Sequence, residues 1–156
     1  MHQNIATPKA IFTMWLQFHG RLLIADRLTS WDMPVEPLCS LLNQLPGTRD
    51  HLFAECAFTT HPCARISLWL HIPASPARSW IEMHQWVISY TKGRTFQAKL
   101  YKFIYAEFIH TVWLERNARV FEKKESSVEM LARQVACFSN IRAKGYLKVL
   151  LSKCKF

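Results

Sequence analysis

Glycine is scarce: four residues in a chain of 156. Turn-rich β architectures draw on glycine for left-handed turn positions, so this scarcity argues against them. Val, Ile and Thr rarely alternate with polar residues, and strand signals are correspondingly few. No apolar run approaches the length that spans a bilayer. The stretch after Lys9 is interrupted by Gln17, His19 and Arg21, and no small-residue cleavage site follows it, so it does not read as a secretory leader. An intracellular protein, nuclear or cytoplasmic and not secreted, is expected, with no membrane partner and no small-molecule substrate. In a reducing compartment the five cysteines, an odd number, serve as core residues or metal ligands rather than disulfides. There is no internal repeat and no low-complexity tract. Acidic charge is also short in one place. Residues 92–156 hold fourteen Lys and Arg against five Glu, whereas residues 1–91 balance at six and six.

What is present is material for a packed helical core. Hydrophobic residues make up 50% of the chain, with six Trp and ten Phe among them. Thr7, Pro8 and Gly20 frame an opening helix whose Ile11, Phe12, Trp15, Leu16 and His19 keep helical spacing. A short second helix is expected over Ala25 to Trp31, with Leu28 and Trp31 inward. Pro34 and Pro37 then force an irregular segment. Residues 39–56 read as a compact loop containing a Pro46-Gly47 turn, with a helical turn from about Thr48. Further helices are expected over Ala64 to His71 and Ser79 to Ser89. Lys92-Gly93-Arg94 forms a loop. Thr95 to Glu122 reads as one long helix with Phe96, Leu100, Phe103, Ile104, Phe108, Thr111 and Val112 on one side. Ser126 and Glu129 make a capping-box pattern for a last helix with Val128, Leu131, Val135, Phe138 and Ile141 as its stripe. Gly145 ends or weakens it before Leu147 to Leu151. The fold class expected is mainly α: a helical domain over 1–91 with a small irregular knuckle-like loop, and a basic extension over 92–156 carrying a pair of long helices.

The chemistry concentrates at Cys39, His51 and Cys56. Four residues separate His51 from Cys56, the H-x4-C spacing of small CCHC knuckles, in which zinc takes four tetrahedral nitrogen and sulfur ligands. A second thiolate, two residues into the turn from Cys39 and one further, would fall at position 42, which is Leu42. His61 and Cys63 lie just beyond and could substitute. The alternative is two buried cysteines and a core or surface histidine. The glutamates at 107, 115, 122, 125 and 129 read as surface charges and not as a nuclease carboxylate set. A Cys/His hydrolase built on Cys56 or Cys63 lacks a nucleophile turn. No enzyme activity is expected.

Several ordered blocks resemble a known family. Pro8-Lys9-Ala10-Ile11-Phe12-Thr13-Met14-Trp15-Leu16, then His19-Gly20-Arg21-Leu22 and Asp26-Arg27-Leu28, resemble the opening of the reverse-transcriptase zinc-binding domain of plant LINE-type (non-LTR) retrotransposons. Cys39 and the block Asp50-His51-Leu52-Phe53-Ala54-Glu55-Cys56 follow in the family's order. Trp113-Leu114-Glu115-Arg116-Asn117-Ala118-Arg119-Val120-Phe121 is similar to a segment that follows this domain in the polyproteins. The resemblance implies zinc at Cys39, His51 and Cys56, and departs from the family at Leu42, where a Cys is usual. With no polymerase segment before it and no ribonuclease H set after it, a stand-alone or domesticated fragment is expected. The function implied is non-enzymatic binding of RNA or DNA. Arg116, Arg119, Lys123 and Lys124 are the candidate phosphate contacts, or else members of a solvated face in which Glu115 pairs with Arg119. The competing reading is a metal-free helical interaction or remnant protein without nucleic-acid binding.

Overall fold

The computed structural model describes residues 6–156. Among them the chain is mainly helical and has no strand, only an isolated antiparallel bridge between Leu38 and Pro46. The helices are α1 (Pro8–Phe18), α2 (Ala25–Thr29), α3 (Ala57–Trp69), α4 (Trp80–Thr91), α5 (Phe96–Asn117), α6 (Val128–Arg142) and α7 (Tyr146–Ser152). Two single wide turns with π-helical spacing, His51–Glu55 and Ala118–Glu122, precede α3 and extend α5. No described helix is long and apolar enough to cross a membrane.

Local chemistry sets most of the helix starts. The hydroxyls of Thr7, Ser79, Thr95 and Ser127 accept hydrogen bonds from the N–H groups of Ala10, Glu82, Ala98 and Met130, satisfying donors that an open helix end would leave orphaned. For the last long helix this moves the cap one residue, from the expected Ser126 to Ser127. Ser126 instead donates its N–H to the Glu115 carboxylate. Helix α3 starts at Ala57 and not near Ala64, and it keeps Pro62 inside it. The expected long helix over Thr95 to Glu122 ends regularly at Asn117. The wide turn then carries the chain to Lys123, whose left-handed φ of 55° stops it.

Helix α5 is the axis of the molecule. Its residues from Phe103 to Ile109 are buried without interruption, so it is enclosed on all sides rather than amphipathic. Helices α1, α4, α6 and α7 all pack on it, and α3 packs on α6. A single cluster of buried side chains runs from Ala6 to Leu151, so the basic segment 92–156 shares one core with residues before it.

Some helices are rotated from the face their apolar residues suggested. The inner face of α1 is Ala10, Thr13 and Gln17, while Phe12 and Trp15 are exposed. Small side chains at the contact let α1 lie close to α5. There the Glu107 carboxylate accepts the Thr7 N–H at 2.9 Å, and Thr13 meets His110 at 3.0 Å. On α6 the buried face is Leu131, Ala132, Val135, Ala136 and Ser139; Phe138 and Ile141 point outward, as does Cys137. Trp31 is also exposed, covered on its face by the Arg27 guanidinium 4.8 Å away.

Candidate metal centre

The loop between α2 and the first wide turn is held by its own backbone. Cys39 N–H donates to Leu45 at 2.7 Å, Asn43 N–H to Cys39 at 2.6 Å, and Gly47 N–H to Pro37 at 2.8 Å. Gly47 is buried against Ala25 and Leu38, where an added Cβ would sit 3.0 Å from Ala25 Cβ and 3.3 Å from the Leu38 carbonyl oxygen. Only glycine lets the loop close that tightly on α2. The Thr48 hydroxyl accepts the His51 N–H at 3.0 Å, and the Asp50 carboxylate accepts the Trp80 N–H at 2.8 Å. These bonds fix the turn that carries His51 between the loop and α4.

Folding brings Cys39, His51 and Cys56 together. All three are buried, and their ligand atoms lie within 4.8 Å of one another. The two sulfurs are 4.0 Å apart. Tetrahedral zinc at its usual Zn–S length separates two sulfurs by about 3.8 Å, so the pair is spaced for one ion. Both ring nitrogens of His51 are buried without a hydrogen-bond partner. An imidazole left so in a core is costly, and a metal ion would satisfy one of the two nitrogens. The Glu55 carboxylate stands 3.9 Å from His51 Nδ1, an ion-pair distance rather than a hydrogen bond.

The thiols are electrostatically unequal. The hydrogen bond shared with Cys56 holds the Cys39 thiol well below its ordinary range, helped by the backbone N–H groups of Leu41 and Leu42 and by the His51 charge, against the opposing effect of burial. The same shared bond, with burial and the Cys39 charge, pushes Cys56 up. One thiolate therefore forms readily, and the second needs a cation beside it. The Leu42 backbone N–H faces the Cys39 sulfur, while its side chain packs against the core instead of supplying a ligand. Neither expected substitute joins the cluster among the described residues. His61 is exposed, and Cys63 lies in the core, where burial pushes its thiol up to about 12.

The family model described as zinc-binding in reverse transcriptase matches residues 1–62. Residues 1–62 are similar to that family. The match contains Cys39, His51 and Cys56, so the zinc-binding domain and the buried Cys–His–Cys cluster coincide. No curated protein and no solved structure matches the chain.

The run from Trp113 to Phe121 lies outside the matched segment but is tied to it physically. Arg119 Nε donates to Glu115 at 2.8 Å, Nη1 to the Leu41 carbonyl at 2.7 Å and Nη2 to the Ser126 carbonyl at 3.2 Å. Its guanidinium also covers the Phe58 ring at 4.3 Å. One side chain thus joins the zinc-binding domain's loop, α5 and the approach to α6. Arg116 is buried beside the cluster, bonded to Asn117 and stacked on Trp113. Burial lowers its pKa, and the nearby Cys39 charge opposes that shift. Both arginines expected to track phosphates are therefore turned inward: Arg119 toward the Glu115 carboxylate and the Leu41 and Ser126 carbonyls, Arg116 toward Asn117 and the Trp113 ring. Lys123 and Lys124 are exposed, Lys124 pairing with Glu122 at 3.1 Å. The glutamates divide likewise: Glu107 and Glu115 are buried rather than surface charges, and Glu122, Glu125 and Glu129 are exposed. The pairing of Glu115 with Arg119 was legible from their i, i+4 spacing, but nothing in the sequence indicated its burial or its link to Leu41.

Proposed function

We propose that the chain is a non-enzymatic nucleic-acid-binding module built on a reverse-transcriptase zinc-binding domain, of plant LINE-type origin and acting in the nucleus or cytoplasm. The observation that carries this reading is the buried Cys39–His51–Cys56 cluster with its unpartnered imidazole. Zinc, when bound there, supplies cross-linking and folding free energy. Cys39 anchors the loop, His51 the wide turn and Cys56 the start of α3, so the three side chains would lock those elements together. Three protein ligands leave the fourth position to a donor other than Leu42. Nucleic-acid binding is supported by the net charge of +9, all of it arising after residue 91. In this reading Lys123 and Lys124 contact phosphate, and Arg116 and Arg119 hold the backbone that presents them.

Elemental analysis of the purified chain and filter binding of RNA and DNA across salt test the two parts. About one zinc per chain and an affinity that falls steeply with added salt are expected. A metal-free chain whose melting ignores chelator would favour the metal-free helical protein instead, a reading that Leu42 and the continuous core already make workable.

A further inference from the structure

The six basic residues before position 92 are matched by six acidic ones, so composition gives that half no electrostatic character. The fold separates them. Three of the six, Arg21, Arg27 and Arg49, line one cleft of ≈ 650 Å³ between α1, α2 and the first wide turn, and Asp26 is the one carboxylate there. This volume is that of a ligand cleft. None of the three guanidinium groups meets a carboxylate among the described residues. Arg21 lies over Trp15 at 5.2 Å, Arg27 over Trp31 at 4.8 Å and Arg49 over Trp80 at 5.1 Å. Arg27 also donates to the Gly20 carbonyl at 3.3 Å, and the Asp26 carboxylate accepts the Arg27 backbone N–H at 2.7 Å.

Two further observations point to a missing polar partner. Gln17 lines the same cleft and is fully buried, and neither its amide nitrogen nor its amide oxygen is hydrogen-bonded among the described residues. Buried carboxamides are almost always satisfied, so this one marks a place where the chain supplies less polarity than the site requires. Gly20, at φ +61°, leaves room that a Cβ would take: it would stand 2.9 Å from Arg49 Nη1. The cleft is shaped to hold that guanidinium.

We propose that this cleft is a second binding site, independent of Lys123 and Lys124, and that it takes the phosphodiester of a single-stranded nucleic acid. Three planar forks with no acid partner suit phosphate oxygens. Trp31 is exposed and carries Arg27 over one face, leaving the other for a base or sugar, which a lipid headgroup or free phosphate would not use. Arg21 follows α1, Arg27 lies on α2 and Arg49 precedes the turn bearing His51, so all three are held on one scaffold.

The test is fluorescence anisotropy of a short labelled oligonucleotide, RNA and DNA in separate arms, with the full chain across a salt series. Arg21→Gln, Arg27→Gln and Arg49→Gln are each expected to weaken binding about tenfold. Each should flatten the log affinity against log salt slope by about 0.7, the value for one single-strand phosphate contact. The Arg21 side chain makes no hydrogen bond among the described residues, and its backbone N–H bond to the Leu16 carbonyl survives substitution, so Arg21→Gln should melt like wild type and serves as the variant free of folding effects. An unchanged slope in that variant and in the triple variant overturns the proposal. So does a loss confined to Lys123→Gln/Lys124→Gln, which would leave the earlier reading standing. A loss confined to the arginine variants supports the cleft and removes the lysines from the contact set. Inorganic phosphate that competes as well as the oligonucleotide, or phosphatidylserine vesicles bound in its place, would also overturn it.

Discussion

Replacing Arg119 by alanine should cost far more than the loss of a surface charge. The Arg119 side chain is 10% exposed and the Glu115 side chain 6%. Without the guanidinium, Glu115 Oε1 keeps only the Ser126 N–H at 2.8 Å, and a buried carboxylate loses its counter-charge. Removing one partner of such a pair costs about 3–5 kcal/mol, most of it the isolated charge left behind. The Leu41 and Ser126 carbonyls lose donors too, but water entering the vacated space can replace those bonds at little further cost. We therefore expect about 4 kcal/mol in urea titrations, which for a chain of this size is on the order of 8–16 °C in melting temperature. Arg119→Lys keeps the charge but not the fork and should fall between. The double variant Glu115→Leu/Arg119→Met should recover most of the loss, since it leaves no unpaired charge. Zinc affinity should also drop in Arg119→Ala, because Leu41, whose carbonyl Arg119 holds, donates its N–H to the Cys39 sulfur. A loss below about 1 kcal/mol, the size of an exposed pair, would refute the clamp.

Leu42→Cys should tighten zinc at least about tenfold, ~1.4 kcal/mol, in competition with a chromophoric chelator, whereas Cys56→Ser should abolish stoichiometric zinc. Zinc binding must expel the proton that the Cys39–Cys56 pair shares, so affinity should fall as pH falls, read in the same competition at two pH values. Burial lowers the pKa of His110, with Glu107 opposing and Lys9 reinforcing, and burial followed by the Arg49 charge lowers that of His84. A histidine depressed in the folded state contributes stability that is present above its unfolded value of 6.5 and lost as pH drops through the lower folded value. Urea midpoints should accordingly decline as pH falls from 6.5 toward the lower folded value, and His110→Gln should flatten the decline. Gly20→Ala places a Cβ at a left-handed φ of +61° and against Arg49, and should cost about 1–2 kcal/mol by urea titration while leaving zinc content unchanged.

The sequence by itself determined the helical class and most helix ends, and it singled out the two cysteines and the histidine that the fold gathers into one buried cluster. Thr7, Ser79 and Thr95 act through atoms three residues away, and Cys39, His51 and Cys56 through ligand chemistry that spacing displays. Those are short-range facts, so a linear reading reaches them. It failed where the deciding neighbour lies far along the chain. Phe12, Trp15, Phe138 and Ile141 have the period of a buried face, yet the helices they sit on turn smaller residues toward α5, because close packing selects shape as well as hydrophobicity. Arg119 reads as a phosphate contact or as a partner of Glu115, and its bond to the Leu41 carbonyl, 78 residues earlier, is visible only in the folded chain. Charge shows the same limit in reverse. Counting placed all the basic excess after residue 91, while the tertiary structure drew Arg21, Arg27 and Arg49 into one cleft and left their acidic counterparts, except Asp26, elsewhere. Net charge is a sum over residues, but an electrostatic site depends on distance, and only the folded chain sets distances.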